Sequence, residues 1–252
     1  MSKIAIEISA TRSFASAVAD EVVVSIQDSI GDHGQCTIAL AGGGTPSAMY
    51  RLLGRPPRVN DIEWDKVKLF WGDERWVSHD NDQSNYRMTR ETLIASTVIP
   101  DTNVFPVNTG LSSIEAAVKD YNETIRQNVS PNSEGIPSFD LVLLGVGTDG
   151  HTASLFPGSD SLSASDQISC VATQRPDGLD RISLTPSIFR NAKNVIFMIS
   201  GEDKAEIVHH ILEEDHSISE YPAMLYREMK GKVTWFVDTA AAKKLEREQE
   251  EF

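Results

Sequence analysis

Short apolar runs recur along the chain and alternate with longer segments in which apolar residues return about every four positions. Such runs are typical of strands covered on both faces, and the four-residue spacing is typical of helices that bury one side. Residues 3–8 instead alternate apolar and polar positions, which predicts a half-buried first strand. Further strands are predicted over 37–41, 67–71, 139–146, 195–199 and 233–237.

Helices are predicted in the segments between these strands. The first one begins at Ser13, a suitable N-cap, and ends at Gly31, a suitable helix terminator. Its apolar positions are spaced by four residues: Phe14, Val18, Val22, Ile26 and Ile30. The other predicted helices are one ending near Gly54, one through Tyr86, Leu93 and Ile94, one over 112–127, one over 203–212 and a charged C-terminal helix from Ala240.

This alternation of strands and helices predicts an α/β fold with a mainly parallel sheet and helices on both of its faces. Segment 128–138 is rich in turn residues but short enough to be a surface loop, so we expect residues 1–252 to form a single domain. In folds of this class, ligands bind beyond the carboxyl ends of the strands. Three loops that follow predicted strands are therefore candidates for function: 42–46, 72–78 and 145–151.

The first candidate loop, 42–46, reads Gly-Gly-Gly-Thr-Pro. Its glycines let a ligand approach the backbone closely, while Thr45 is a suitable N-cap and Pro46 a suitable first helical residue. The free N–H groups near Gly43 and Gly44, together with the helix dipole, favour a bound phosphate. The alternative is a tight strand-to-helix turn without a ligand. A Walker A loop is excluded, because no Gly-Lys-Ser/Thr follows at the required spacing.

The segment 145–150 matches the pattern G-x-G-x-x-G, which also occurs in dinucleotide-binding folds. A nicotinamide cofactor is disfavoured here, because Pro157 cuts short the helix that should follow and no acidic residue ends a second strand at the expected place. The loop instead brings Asp149 and His151 to one edge of the sheet. Imidazole transfers protons near neutral pH, which indicates a catalytic His151. The alternative is a loop histidine bonded only to backbone.

Cationic side chains in three other segments suit an anionic ligand. Arg75 lies beside Asp73 and Glu74, and its guanidinium can hold a carbonyl or a phosphate; a surface ion-pair cluster is the alternative. Arg181 precedes an apolar-polar run. Lys204 lies in the first turn of a predicted helix, where a cation opposes the helix dipole. That position favours a role in binding an anion over a structural role.

The chain carries 23 Lys and Arg against 37 Asp and Glu, a formal net charge of −14. This excess of negative charge disfavours nonspecific binding to nucleic acid and to anionic membranes. No apolar run is long enough to cross a bilayer, and the first residues lack the pattern of a secretion signal. Cys36 and Cys170 lack the spacing of a disulfide framework or a metal site, so we expect a cytoplasmic compartment.

Histidines outside the candidate loops are interpreted as surface residues rather than metal ligands. His209 and His210 lie on a predicted helix without H-E-x-x-H spacing, and His79 lies in a polar loop beside Asp80. Neither a metal ion nor another cofactor is therefore predicted.

Five motifs occur in order along the chain: LAGGGTP over 40–46, WGDERWV over 71–77, SNY over 84–86, LLGVGTDGHTASLFP over 143–157 and RISLT over 181–185. Together they resemble the 6-phosphogluconolactonases of the glucosamine-6-phosphate isomerase family. The resemblance implies the Rossmann-like fold of that family. It also implies hydrolysis of 6-phospho-D-glucono-1,5-lactone to 6-phosphogluconate in the oxidative pentose phosphate pathway, without an obligatory metal.

Each candidate residue has a predicted role in such a reaction. His151 takes a proton from water during attack on the lactone carbonyl; direct attack by the imidazole is the alternative. Asp149 orients the imidazole or holds the loop, and Arg75 with loop N–H groups stabilises the oxyanion. The residues predicted to hold the phosphate of the sugar are Gly43, Gly44, Thr45, Arg181 and Lys204.

Two other functions are compatible with these motifs. In the related deaminases, the residues after the histidine typically read Ala-Phe-Asn-Glu-Pro, whereas 152–157 here contain no acid, and Asp-Glu-Tyr is replaced by Asp-Glu-Arg at 73–75. Both departures disfavour a glucosamine-6-phosphate deaminase or a phosphosugar isomerase. A non-catalytic phosphosugar sensor would normally carry a DNA-binding segment, and none is predicted. The oligomeric state is left open between a monomer and a weak dimer.

Overall fold

Strands and helices alternate along the structure, a computed structural model that describes residues 4–164, 167–172 and 178–246. The elements within these ranges are β1 (Ile4–Ser9), α1 (Thr11–His33), β2 (Cys36–Leu40), α2 (Gly44–Leu53), β3 (Val67–Trp71), β4 (Asp73–Arg75), α3 (Asn85–Thr92), α4 (Ile114–Asn128), β5 (Leu141–Leu144), β6 (Ser169–Ala172), β7 (Arg181–Leu184), α5 (Pro186–Arg190), β8 (Asn194–Ile199), α6 (Ala205–Glu213) and β9 (Lys232–Asp238). None of the helices in this described part of the chain has the length and apolar content that crossing a bilayer requires.

Six strands form one parallel sheet in the order β1-β9-β8-β5-β2-β3. The predicted α/β fold with a mainly parallel sheet is therefore confirmed. From β2 the chain first adds β3 on one side and later returns to add β5 on the other side. The connections after β2 and β5 consequently diverge and leave a crevice at the carboxyl ends of these strands, which is where ligands bind in open α/β sheets.

Successive residues of the central strands face two separate apolar cores, one on each side of the sheet. In β3, Leu69 and Trp71 belong to the core that contains α1 and α2, whereas Phe70 belongs to the core that contains α4 and α6. The helices contribute Val18, Ile26, Met49 and Leu53 to the first core, and Tyr121, Ile125, Val208 and Ile211 to the second. Helices on both faces, as predicted, are confirmed.

A second sheet, which the sequence does not predict, consists of three short antiparallel strands in the order β4-β7-β6. Its strand β4 has only three residues, all charged, so its sequence resembles a loop. The pairing of β4 with β7 places Arg75 opposite Arg181. Gly72 joins the two sheets, because its N–H donates to the carbonyl of Leu40 at 2.8 Å and its carbonyl accepts from the N–H of Leu184 at 2.8 Å.

The predicted ends of α1 and the predicted cap of α2 are wrong by a few residues. Helix α1 begins at Thr11 and ends at His33, so Gly31 lies inside the helix. Gly34 is its C-cap, with a φ of 84° and an N–H that donates to the carbonyl of Ile30. The hydroxyl of Ser13 donates to the carbonyl of Ala10 instead of capping the helix. In α2 the N-cap is Gly43, two residues before the predicted Thr45, because its φ of 104° turns the chain into the helix.

The predicted C-terminal helix is also wrong over the described residues 240–246, which form turns and irregular structure. The carboxylate of Asp238 accepts a hydrogen bond from the N–H of Ala241 at 2.8 Å, and this contact folds the chain back after β9. Residues 247–252 of the predicted helix lie outside the described residues. Segment 128–138 connects α4 to β5 as the predicted loop, and β5 is shorter than its predicted range.

Candidate active site

The carboxyl ends of β2, β3, β5 and β8 open into one cavity of about 310 Å³. The loop after each of these strands contributes to its wall. Seven of the eight residues predicted from the sequence line it: Gly43, Gly44, Thr45, Arg75, His151, Arg181 and Lys204. The eighth, Asp149, lies behind His151 and contacts its ring. The structure thus brings the predicted site residues together.

The N-terminus of α2 forms one wall of the cavity and is open to a ligand. Its N-cap residue, Gly43, has no side chain that could cap it, and its first turn contains no acidic residue. The first N–H groups of a helix have no partner within the helix, so the amides of Gly44 and Thr45 are suited to bind an anion. Gly42 is required for packing, since an added Cβ would lie 2.0 Å from the side-chain oxygen of Asn85. This wall is where the sequence predicts that a phosphate binds.

A tight turn after β5 presents His151 to the cavity. The N–H of Gly147 donates to the carbonyl of His151 at 2.8 Å, and the N–H of Gly150 donates to the carbonyl of Gly147 at 3.0 Å. Nδ1 of His151 lies 2.5 Å from Oδ1 of Asp149, which also accepts the His151 N–H at 3.2 Å. With Nδ1 engaged by the carboxylate, Nε2 is the ring nitrogen left for proton transfer.

The electrostatics of this pair favour an ionised Asp149. Partial burial opposes ionisation of the carboxyl, but the hydrogen bonds and charge of His151 outweigh burial and hold the pKa of Asp149 below its ordinary value. The His151 ring packs on Phe156 with 4.8 Å between ring centroids. The imidazole is therefore held from two sides, by a carboxylate and by an aromatic face.

Two arginines face each other across the small sheet at the cavity wall. Arg75 and Arg181 are direct partners in the antiparallel pairing of β4 and β7. Like charges at directly opposed positions destabilise a sheet, so this pairing favours an anionic ligand between or beside them. Arg75 donates from Nη1 to the carbonyl of Gln83 at 2.6 Å, and the guanidinium carbon of Arg181 lies 5.5 Å from the centroid of Phe156.

Asp73, Asn85 and Ser154 form a buried polar group that sequence reasoning did not single out. Asp73 accepts a hydrogen bond from the Ser154 hydroxyl at 2.6 Å, and its carbonyl accepts one from the Asn85 amide at 2.9 Å. Nη1 of Arg181 is 4.0 Å from Asp73. These contacts link the start of α3, the small sheet and the loop that carries His151. The position of Asp73, two residues after the end of the predicted strand 67–71, is the signal that could have found it.

Glu74, by contrast, has a structural role. Its buried carboxylate accepts hydrogen bonds from the N–H groups of Arg75, Asn85 and Tyr86, each at 2.8 Å, and from the Ser84 hydroxyl at 3.1 Å. Burial raises the pKa of Glu74, although these N–H groups oppose the shift. The carboxylate therefore satisfies the N-terminus of α3 and fixes the loop before it.

Glu74→Gln replaces one carboxylate oxygen with an amide group that faces backbone N–H donors. We expect the free energy of unfolding in urea to fall by about 1–3 kcal/mol, the cost of an unsatisfied buried donor. Glu63→Gln serves as the control, because the Glu63 side chain is 58% exposed and forms only a surface ion pair with Lys66. Equal losses in the two variants would contradict the capping role.

Lys204 reaches the cavity from the loop after β8. It is the N-cap residue of α6, which follows a short 3-10 turn over Glu202–Lys204. Its ammonium lies 3.9 Å from the carboxylate of Asp203. Asp238 holds the start of this loop by accepting hydrogen bonds from the Ser200 hydroxyl at 2.7 Å and the Gly201 N–H at 3.2 Å. A cation at a helix N-terminus is unfavourable for the helix, which supports a role toward an anion.

Two buried tyrosines fix the strand ends beneath the cavity. The hydroxyl of Tyr50 accepts from the N–H of Ala41 and donates to its carbonyl, both at 3.0 Å. The hydroxyl of Tyr121 makes the same pair of bonds to Trp71, both at 2.8 Å. Each hydroxyl replaces a neighbouring strand where the sheet ends, so both loops start from a rigid backbone. The sequence places Tyr121 on the apolar face of the predicted helix over 112–127, but it predicts this hydrogen-bonding role for neither tyrosine.

Comparisons with known proteins agree with the motifs. The sequence profile described as glucosamine-6-phosphate isomerases/6-phosphogluconolactonase matches residues 9–235. A 6-phosphogluconolactonase of Synechocystis is 34% identical over 224 residues, which cover 89% of this chain and 90% of that protein. A probable 6-phosphogluconolactonase of Arabidopsis thaliana is 35% identical over 240 residues, which cover 90% of this chain and 88% of that protein.

A solved structure shows the same fold over almost the entire chain. The 6-phosphogluconolactonase from Trypanosoma brucei superposes with a TM-score of 0.85 and 31% sequence identity, covering 97% of this chain and 100% of that one. The resemblance predicted from the five motifs and the fold it implied are confirmed. The chain belongs to the glucosamine-6-phosphate isomerase/6-phosphogluconolactonase family.

Proposed function

We propose that this chain hydrolyses 6-phospho-D-glucono-1,5-lactone to 6-phosphogluconate. The proposal rests on one observation. His151, held by Asp149, lines the same cavity as the wall that is suited to bind an anion. A lactone is an activated ester, so one positioned base suffices to deliver water to its carbonyl. The names of the relatives support this substrate over other phosphosugars.

The chemical step uses Nε2 of His151, because Asp149 engages the other ring nitrogen. This nitrogen takes one proton from water while the oxygen of that water bonds to C1 of the lactone. The oxyanion then collapses, the bond between C1 and the ring oxygen breaks, and the imidazolium returns its proton to the ring oxygen. The product is a carboxylic acid, which releases a proton near neutral pH. Asp149 holds the ring and stabilises its charged form.

The cationic wall binds the phosphate of the sugar and so fixes the distance from C1 to His151. Amides of Gly43, Gly44 and Thr45 donate at the N-terminus of α2. Lys204 completes this wall from the loop after β8. The register of Arg75 against Arg181 favours a shared role for both arginines at this anion, in place of the separate oxyanion role predicted for Arg75.

A direct assay tests the proposal. Glucose-6-phosphate dehydrogenase generates the lactone in situ, and its disappearance is followed with and without this protein against spontaneous hydrolysis. We expect acceleration in proportion to protein concentration. Release of ammonia from glucosamine 6-phosphate would indicate the deaminase instead. Binding of 6-phosphogluconate without any acceleration would indicate a sensor.

The two roles considered for Arg75 make different kinetic predictions. For Arg75→Gln we expect KM to rise about tenfold with kcat nearly unchanged, because a charge-assisted hydrogen bond to the phosphate is made in the ground state and the transition state alike. Stability in urea should not fall, since the substitution removes a repulsion from Arg181. Arg190→Gln, at a surface ion pair with Glu228, is the control. A loss confined to kcat would restore the oxyanion role.

We also propose a compartment, a domain organisation and an oligomeric state for this chain. Cys36 and Cys170 are buried free thiols, which supports a reducing compartment such as the cytoplasm. The central sheet uses strands from β1 to β9, so we propose that the chain acts as a single domain. We propose a monomer or a weak dimer as the active form.

A further inference from the structure

A cluster of imidazoles and carboxylates lies at the end of α6, outside the cavity described above. His210, Glu214 and His216 are half-buried, and one ligand atom from each lies within 4.8 Å of the other two. Nδ1 of His210 and Nε2 of His216 both contact Oε2 of Glu214, at 2.7 and 2.6 Å. Three donors of metal-ligating type therefore converge on one point.

The outer contacts of both imidazoles match those of metal-bound histidines. Nε2 of His210 lies 3.3 Å from Oε1 of Glu206, and Nδ1 of His216 lies 3.1 Å from Oε2 of Glu220. A histidine that ligates a metal through one nitrogen commonly donates from the other to a carboxylate, which fixes the tautomer and the ring orientation. Each ring here has one nitrogen toward the shared centre and the other toward a separate carboxylate.

An aromatic ring and the local charge favour the same arrangement. The Tyr221 ring stacks on His210 with 5.8 Å between centroids and meets His216 edge to face at 4.7 Å, so both imidazoles are held in place. Nearby cations contact other acids: Lys244 contacts Glu206, and Arg227 contacts Asp215 at 2.6 Å. The local excess of carboxylates attracts a divalent cation.

We propose that His210, Glu214 and His216 bind a divalent first-row transition metal ion, with Zn²⁺ best suited to two imidazoles and one carboxylate. Bonds of about 2.1 Å to zinc place tetrahedral ligand atoms roughly 3.4 Å apart, so small side-chain rotations from the present contacts suffice. His209, with Nε2 at 3.3 Å from Oε1 of Glu214, is a further nitrogen within reach. This site departs from the sequence-based prediction that His209 and His210 are surface residues only.

The site is separate from the proposed catalytic cavity but touches its loop. The Tyr221 ring packs against Gly150, where an added Cβ would lie 2.6 Å from Cδ1 of the ring, and the N–H of Ala223 donates to the Gly150 carbonyl at 2.9 Å. None of the three ligands lines the cavity. Metal binding at this position is therefore measurable without substrate and independently of the proposed hydrolysis.

Calorimetric titration of the full, untagged chain with Zn²⁺ tests the proposal. We expect one site per chain, with affinity reduced at least tenfold in His216→Ala and in Glu214→Gln. The second variant preserves the size of the side chain, and thermal unfolding of both variants without metal confirms that they are folded. Zn²⁺ should raise the Tm of the unmodified chain and leave the Tm of His216→Ala nearly unchanged.

Two control variants identify the ion's position. His151→Ala removes the imidazole of the catalytic cavity, and His33→Ala removes one that contacts Asp140 at the opposite end of the sheet. Both should bind Zn²⁺ as tightly as the unmodified chain. The proposal is overturned by an absence of binding, by unchanged affinity in His216→Ala, or by loss of the site in His151→Ala.

Discussion

His151→Ala is expected to lower kcat for lactone hydrolysis by about 10²–10⁴, the usual contribution of a positioned general base. Asp149 engages Nδ1 of the His151 ring at 2.5 Å, so Nε2 is left to take a proton from water. Binding of 6-phosphogluconate should survive, because the proposed phosphate contacts come from α2, the small sheet and the loop after β8, and not from His151. The measurement is the initial rate with in situ lactone, corrected for spontaneous hydrolysis, beside a calorimetric Kd for the product.

His33→Ala provides the matched control for this prediction. His33 ends α1 and contacts Asp140, so its loss removes an imidazole without changing the cavity. We expect a normal kcat in that variant. Asp149→Asn should give a loss smaller than that of His151→Ala, since it keeps the imidazole and removes only the carboxylate. An unaltered kcat in His151→Ala would remove the histidine from the mechanism.

The central sheet can be predicted well from the sequence, because each of its strands is marked by its own short run of residues. Runs such as 195–199 are apolar on both faces, and a chain that alternates such runs with helices has few ways to bury them. The location of the site follows from the same pattern, because parallel strands bring their carboxyl ends to one edge. The loops carrying Gly43, Arg75 and His151 meet at that edge.

What the sequence does not predict depends on contacts between distant segments. Strand β4 is entirely charged and acquires its conformation only by pairing with β7, so neither periodicity nor propensity reveals it. Contacts with distant segments also separate the roles of Asp73 and Glu74, which are neighbours in the sequence. Asp73 faces Ser154 and the cavity, whereas Glu74 faces the N-terminus of α3. The tail after β9 follows the carboxylate of Asp238 instead of its own helix propensity.

A single methyl group at Gly147 is expected to reduce kcat about 100-fold, close to the effect of a displacement of roughly 1 Å in a catalytic group. An added Cβ would lie 2.0 Å from Nδ1 of His151 and 2.5 Å from Oδ1 of Asp149, so the pair has to move or separate. Gly147→Ala therefore tests the geometry of the pair while leaving both side chains present. Initial rates at saturating lactone measure the effect.

Gly145→Ala adds the same methyl group to the same loop, where an added Cβ meets nothing within 4 Å in the described structure. We expect that variant to keep kcat within a few-fold of normal, because the turn that carries His151 is not displaced. Gly145 lines the cavity, so an effect of the methyl group on substrate binding should appear in KM. The contrast between two alanines two residues apart separates imidazole placement from general disturbance of the loop. Equal losses of kcat in both variants would show that the loop tolerates no added side chain, and the distance between Asp149 and His151 would then not explain the rate.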